Sequence, residues 1–335
     1  MDEFRLKELK EYRDKIIKKH MILITLSFII SFSLCLIYFY KLNYKNSFLF
    51  LFILFLFHSP IYIYIQLNEK SKPKKKYQYS MGTTLILILC YSISLIIFTN
   101  TIYYQILIYF ITLCIYHYAE FFSELFFHFK DLQKDAFLIY ENKMWVISTL
   151  SSFAESIIGT FFFHEYKNNK IIFLIGLIMT IIGQYFRIAA LFTGKSNFTH
   201  KIQLTKRKNH VLVKYGVYAI SRHPSYFGFF IWSVGIEIMC VNPLCTVAFS
   251  YILFKFFRNR IQVEEKYLIR FFGMEYIKYR REVGILLPFI NIDRKTEKDN
   301  LELYLENHED EKDNEEIVNF LNDKEGKNED KKKNG

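Results

Sequence analysis

The sequence predicts an all-α integral membrane protein with about eight transmembrane helices, two of them forming a short hairpin, followed by helices on the cytosolic side. Three observations carry that prediction. Long blocks rich in Phe, Ile, Leu and Tyr alternate with short basic connections. The 335 residues average a mean hydropathy of only +0.10, so the apolar blocks are set against strongly polar segments. Two apolar stretches near the C-terminal third are too short to cross a bilayer comfortably, and they sit back to back.

Blocks of roughly 18 or more apolar residues read as membrane spans. They fall at 21–40, 48–67, 81–98, 102–118, 144–163 and 171–192. The shorter arms are 226–240 and 244–257. At 1.5 Å per residue each arm reaches about 22 Å, against a hydrocarbon core of about 30 Å. The pair either dips or crosses, and it returns to the side it entered.

Basic residues orient the spans. The first twenty residues carry Arg5, Lys7, Lys10, Arg13, Lys15, Lys18 and Lys19, and the second connection reads KSKPKKK. Both are expected in the cytosol, as are 193–222 and everything beyond 257. The net charge of +11 is thus read as topology and not as nucleic-acid binding. The N-terminus, with its long charged lead and no small-residue cleavage site, is expected to be a retained first helix.

The chain divides into an amphipathic lead (1–20), N-terminal helices (21–118), a region of helices and polar cytosolic segments (119–290) and a charged tail (291–335). The tail holds little apolar surface to offset ordering and is expected to be disordered. It ends KKKNG, which resembles a di-lysine retrieval signal. The five cysteines, Cys35, Cys90, Cys114, Cys240 and Cys245, have no metal-ligand spacing and read as embedded thiols. No metal site is expected. Asn197 in NFT fits a glycosylation acceptor, but on the cytosolic side.

Polar groups concentrate in three blocks at one membrane boundary: 183–204, 209–228 and 256–290. Asn242-Pro243 reads as a helix start, with Asn capping and Pro in the first turn. A helix from Pro243 to about Phe272 would reach about 45 Å and outrun the bilayer. Arg260 and Glu264, four residues apart, would share a face just beyond it. Arg187 interrupts an apolar block and either snorkels or meets a buried anion. Trp232 is either an interfacial aromatic or a pocket wall. Glu155 and Glu237 fall inside apolar blocks, where an acid needs a partner or a proton.

From about Cys114 to Ile290 the chain resembles the isoprenylcysteine carboxyl methyltransferase family. The strings are YHYAEFF, FRIAALFTGKSNFTH, HVLVKYGVYAISRHPSYFGFFIWSVG, NPLC and FFRNRIQVEEKYLIRFFGMEYIKYRREVGILLPFI. RHPSY followed by Gly is shared with phospholipid methyltransferases and sterol reductases, while SNFTH and the RI--EE---IRFFG pattern make the specific case. The resemblance implies S-adenosylmethionine contacts at Gln203, His210, Val211, Leu212, Val213, Tyr218, His223, Pro224, Ser225, Tyr226 and Glu264. It implies Arg260 as the substrate-carboxylate residue, with Arg187 and Trp232 near the reaction centre. It further implies in-line methyl transfer to the C-terminal carboxylate of prenylated CaaX proteins, small GTPases among them. The enzyme would sit in the endoplasmic reticulum membrane with both termini cytosolic. The chain departs from the family at Ile236-Glu237, where Thr-Gln is usual. The rival readings are a phospholipid N-methyltransferase, which would need a base to strip an amine, a sterol reductase, and a non-enzymatic transporter or scaffold.

Overall fold

In a computed structural model, the structure describes residues 104–128, 143–287, 294–306, 308 and 314–322, with Glu11, Ile22, Ile88, Leu89, Ser92 and Ile93 as isolated positions. The spans expected at 21–40, 48–67 and 81–98 and the N-terminal lead therefore lie outside the described residues, apart from those isolated positions. Among the described residues the structure is helical, without strands. In chain order the helices are α1 (Tyr104–Phe127), α2 (Lys143–Phe162), α3 (His164–Lys167), α4 (Lys170–Gly194), α5 (Pro224–Met239), α6 (Pro243–Phe272), α7 (Met274–Glu282), α8 (Arg294–Leu305) and α9 (Glu315–Asn322). Two 3-10 turns, Lys195–Asn197 and Gly216–Ala219, lie between α4 and α5. By length and composition, Tyr104–Phe127 and Lys170–Asn197 can cross a membrane, and Val146–Phe162 is a shorter apolar helix.

The chain falls into two compact units: Met1–Ile181 with Ser233–Val247, and Ile182–Trp232 with Ala248–Gly335. Helices α4, α5 and α6 each contribute to both.

Helix α4 begins where Asn169 accepts from the amides of Ile171 (3.0 Å) and Ile172 (3.1 Å), an N-cap that satisfies otherwise orphaned donors. Its exposed stripe is Ile171, Leu174, Ile175, Ile178, Ile181, Ile182 and Tyr185. Its glycines face inward. A Cβ on Gly176 would lie 2.1 Å from the Met239 amide, and one on Gly235 would lie 2.7 Å from the Thr180 amide. In the second unit, a Cβ on Gly183 would lie 2.3 Å from the Trp232 amide, and one on Gly228 would lie 2.6 Å from the Arg187 amide. Glycines seven apart on both helices thus let backbones touch, the way helices associate where no hydrophobic drive separates them from lipid. An apolar stripe turned outward and small residues turned inward suit hydrocarbon surroundings.

The first unit packs Tyr109 and Phe110 of α1 on Phe153 of α2, at ring distances of 5.1 and 4.9 Å. It also encloses a polar network. Glu237 is 1% exposed and accepts from Ser152 Oγ (2.8 Å) and Asn242 Nδ2 (2.8 Å). Asn242 Oδ1 in turn accepts from Ser156 Oγ (3.0 Å) and Lys167 Nζ (2.8 Å). The acid expected to need a partner has two donors, as buried polar groups require. Glu155, the other questionable acid, accepts from the amides of Leu244 (2.8 Å) and Cys245 (2.7 Å) at the start of α6. A carboxylate at a helix N-terminus satisfies orphan donors and complements the dipole. This corrects the reading of Asn242 as the cap. Pro243 does take the first helical position, but the Asn242 side chain is committed to the network, and Glu155 caps from α2.

Helix α6 runs 30 residues from Pro243 to Phe272, as its sequence predicts. In the second unit its last turn joins a buried cluster containing Ile269, Phe271, Phe272, Tyr276 and Ile277. The same cluster holds Leu301, Tyr304 and Leu305 of α8 and Ile317 and Phe320 of α9. The tail expected to be disordered is therefore helical over 294–305 and 315–322. Its few apolar residues fall at i, i+3 and i+4, so each short helix presents a complete apolar face. Composition averages that face away, and docking it on α6 and α7 offsets the entropy of ordering.

Candidate active site

In the second unit a cleft of about 840 Å³, counting its open mouth, lies between the 203–226 segment and the C-terminal half of α6. All eleven residues named from the sequence for the methyl donor line it: Gln203, His210, Val211, Leu212, Val213, Tyr218, His223, Pro224, Ser225, Tyr226 and Glu264. Phe198, Tyr267, Phe271 and Phe272 add aromatic walls.

The loop before α5 is held by its own side chains. Asn197 Oδ1 accepts from the Val211 amide at 3.0 Å, which turns the glycosylation-like Asn to a structural task. Lys206 donates to the Phe271 carbonyl (2.5 Å) and lies over the Phe272 ring at 4.9 Å. His210 packs edge-on against Phe271 and Phe272 at 5.9 and 5.2 Å. Burial, reinforced by Arg207 and Lys206, pushes its pKa down to about 4, so the ring is neutral at physiological pH. Gly216 takes φ +62°, a turn that glycine makes without strain. Burial, with Glu264 nearby, pushes the Tyr218 phenol well up, so it stays protonated, and its Oη donates to the Ala190 carbonyl (3.3 Å).

Behind the cleft stands Glu265, which sequence reasoning saw only as one letter of a motif. It is fully buried. His223 Nε2 lies 2.7 Å from Oε1, Tyr276 Oη donates to Oε1 at 2.7 Å, Arg222 Nε donates at 3.0 Å, and Arg280 Nε pairs with Oε2 at 3.0 Å. Burial alone would raise this carboxyl. His223, Arg222 and Arg280 outweigh it and hold the group well below the usual carboxylate range. Arg222 shows the mirror effect: burial opposes its charge, and Glu265 more than restores it. Arg222 also donates to the Arg280 carbonyl (3.1 Å) and to the Val283 carbonyl, fixing the chain after α7. The signal was present in the sequence: two adjacent acids on a helix, only one of which can face the cleft, with Arg222 beside His223 to meet the other.

Arg260 and Glu264 do share a face, but the Tyr226 hydroxyl stands between them. Arg260 Nε donates to Tyr226 Oη (2.8 Å), which donates to Glu264 Oε2 (2.6 Å), and Arg260 Nη2 donates to the His200 carbonyl. Glu264 also faces His223 Nδ1 at 3.6 Å. Tyr226 therefore stacks on His223 (5.6 Å) and Phe257 (5.1 Å) while bridging the two charged groups. Next to Arg260 lies an apolar cluster of Phe257, Ile261 and Leu287 with Phe227, Phe229 and Phe230. Arg187 is buried, neither snorkelling nor exposed. Its Nη1 donates to Ser225 Oγ (2.6 Å), and its guanidinium lies between the rings of Phe198 (5.7 Å) and Phe229 (5.8 Å). Trp232 is 3% exposed and packs on Phe229 at 5.9 Å, so it is an interior residue rather than an interfacial one. Arg260 and Arg187 thus adjoin the cleft through Tyr226 and Ser225 without being among its lining residues, whereas Trp232 packs on Phe229, which does not line it.

The arrangement joins a cleft open to water, a buried charge network and an apolar wall. The Isoprenylcysteine carboxyl methyltransferase (ICMT) family model matches residues 175–270, which covers most of these groups. The protein-S-isoprenylcysteine O-methyltransferase of Saccharomyces cerevisiae is 38% identical over 186 residues, 54% of this chain and 78% of that protein. The chain belongs to the isoprenylcysteine carboxyl methyltransferase family. Protein-S-isoprenylcysteine O-methyltransferase B of Arabidopsis thaliana is 36% identical over 195 residues and is covered over 98% of its length. The Homo sapiens relative is 40% identical over 182 residues, which spans 64% of it. A solved structure of the eukaryotic intramembrane Ras methyltransferase ICMT matches with a TM-score of 0.77 and 32% identity, over 82% of this chain and 97% of that one. The fold of the described residues is thus that of an intramembrane methyltransferase, and membership in this family implies a methyl donor.

Proposed function

We propose that the chain esterifies the C-terminal carboxylate of prenylcysteine-ended proteins with a methyl group from S-adenosylmethionine. The observation that carries this reading is the convergence of all eleven residues named for the methyl donor on one cleft. The cleft suits that donor chemically. Glu264, partly exposed, offers an anion to a cationic amino-acid end. Gln203 offers amide contacts, and Leu212, Phe271 and Phe272 offer flat apolar walls for a nucleoside. When bound, the sulfonium supplies an electrophilic methyl group.

The residues of the chain then have to position the acceptor. A terminal carboxyl has an ordinary pKa of about 3.5, so it is already ionised and needs no general base. Arg260 is the carboxylate clamp in this reading, because a guanidinium fork matches two carboxylate oxygens. Tyr226 and Glu264 hold that guanidinium in place. Phe229, Phe257 and Ile261 offer an apolar path beside Arg260 for the isoprenyl chain. Arg187 adds positive potential where the carboxylate would sit and fixes Ser225 at the cleft wall.

The same reading extends to the parts outside the site. About eight spans hold the enzyme in the endoplasmic reticulum membrane with both termini cytosolic, and its substrates are trimmed CaaX proteins, small GTPases among them. The phospholipid and sterol readings lack a role for an arginine clamp.

Ultraviolet cross-linking of labelled S-adenosylmethionine to the purified chain tests the donor site. Label on peptides from residues 203–226, displaced by S-adenosylhomocysteine, supports it. Label elsewhere, or none, removes it.

A further inference from the structure

The geometry points to the C-terminal helices α8 and α9 as a working part of the methyl-donor site, with Glu297 of α8 a positioning residue for His223. The inference rests on reading the cleft as that site. A line of charged groups runs from one to the other. Glu297 Oε1 lies 2.5 Å from Arg280 Nη1. Arg280 Nε lies 3.0 Å from Glu265 Oε2, and Glu265 Oε1 lies 2.7 Å from His223 Nε2. His223 lines the cleft and stacks on Tyr226, which holds Arg260. Arg280 is thus placed from two sides, by a buried carboxylate and by a second one from the tail. Both of its partners are mostly shielded, with side chains 0% and 17% exposed, so neither contact is an ordinary surface pair.

A second link runs through the wall. Phe271 and Phe272 line the cleft and also belong to the cluster containing Leu301, Tyr304, Leu305, Ile317 and Phe320. Between α6 and α7, Gly273 turns the chain at φ +54° beneath the Tyr304 ring, and a Cβ there would lie 2.6 Å from Tyr304 Cε1. Arg270 Nε donates to Asn300 Oδ1 at 2.6 Å, and Lys278 pairs with Glu316 at 2.7 Å. Helices α8 and α9 therefore clamp the last turn of α6 and the whole of α7, the elements that carry two cleft walls and Arg280. The family-wide match ends at residue 270, so this support is supplied from beyond it. The consequence is selective. Loosening the tail relaxes His223 and the aromatic wall, which face the donor, while Arg260 keeps its bond to the His200 carbonyl and the apolar acceptor path beside Phe257 stays intact.

The test uses the full chain in detergent, with steady-state kinetics against both substrates for wild type, Glu297→Gln, Glu297→Asp and Leu301→Ala. The expected result for Glu297→Gln is a KM for S-adenosylmethionine raised about tenfold, with the KM for N-acetyl-S-farnesylcysteine within twofold of wild type. Glu297→Asp recovers most of the loss. The Kd for S-adenosylhomocysteine, measured calorimetrically, moves by the same factor. Unchanged donor KM in Glu297→Gln, or a fall in kcat alone with both KM values kept, overturns the inference, since a loss of folded protein lowers only the active fraction. If Leu301→Ala does not fold, Glu297→Gln decides. Wild type that neither binds S-adenosylhomocysteine nor transfers methyl sinks the reading of the cleft itself, and the inference with it.

Discussion

Replacing Glu265 with Gln removes one negative charge and keeps the shape. The structure makes this small change expensive. Glu265 sits at zero exposure between Arg222, Arg280 and His223, with Tyr276 donating to it as well. Gln keeps one acceptor oxygen but turns a donating NH2 toward guanidinium groups that can only donate. Breaking a buried pair by removing one partner costs about 3–5 kcal/mol, because the remaining charge stays buried. For a domain of 150–250 residues 1 kcal/mol moves Tm by about 2–4 °C, so the expected loss is roughly 6–20 °C. The assay is thermal unfolding of the purified chain, read by tryptophan fluorescence, for wild type and Glu265→Gln from pH 3 to 8. The sign with pH follows from the depressed carboxyl. Its stabilisation is fully present above the ordinary glutamate pKa of about 4.3 and is lost as pH falls toward the folded-state value. The gap between wild type and Glu265→Gln should therefore be widest at neutral pH and narrow below about pH 4. A gap under 2 °C at pH 7, or one that widens on acidification, would refute the claim that Glu265 is the anionic centre of this network.

Arg260→Lys should keep Tm within about 2 °C while lowering kcat/KM about ten- to a hundredfold, since a charged hydrogen bond contributes about 1.5–3 kcal/mol and an ammonium cannot fork onto two oxygens; near-normal turnover would remove the clamp. His210, neutral when folded down to about pH 4, has a depressed pKa, so its contribution is present above about pH 6.5 and is lost as pH falls from there to about 4. His210→Phe should flatten the stability profile across that window, and an unchanged profile would mean that the ring titrates normally. Glu237→Gln should retain activity within about threefold, because Ser152 and Asn242 can pair with an amide. Glu237→Leu, which strands those donors, should cost about 1–3 kcal/mol of stability for each unpaired group, read as lost folded yield in detergent.

Much of this architecture was legible because the residues that set it act locally. Pro243 and the apolar run behind it gave the start and length of α6, while the residues that line the cleft were named through the family resemblance that SNFTH and the RI--EE pattern carry. What was hidden depended on distant partners. No local pattern reveals that Glu155 caps α6 from another helix, which frees Asn242 for Glu237. Tyr226 between Arg260 and Glu264 could not be read from an i, i+4 spacing on α6 alone. The tail was misread because its composition is polar on average, while Leu301, Tyr304 and Leu305 fall on one face that only the α6–α7 surface makes useful. Glu265 was hidden by its neighbour: adjacent acids look equivalent in sequence, and only the helix phase turns one to the cleft and the other to the arginines.

The central claim is that the methyl group goes to a carboxylate. The most direct measurement is transfer from labelled S-adenosylmethionine in membranes containing the full chain, with N-acetyl-S-farnesylcysteine and its carboxyl amide as paired acceptors. The account predicts base-labile methyl ester on the acid and none on the amide. Equal labelling of both acceptors, or label entering lipid with none on the acid, would contradict it and leave Arg260 without a substrate to hold.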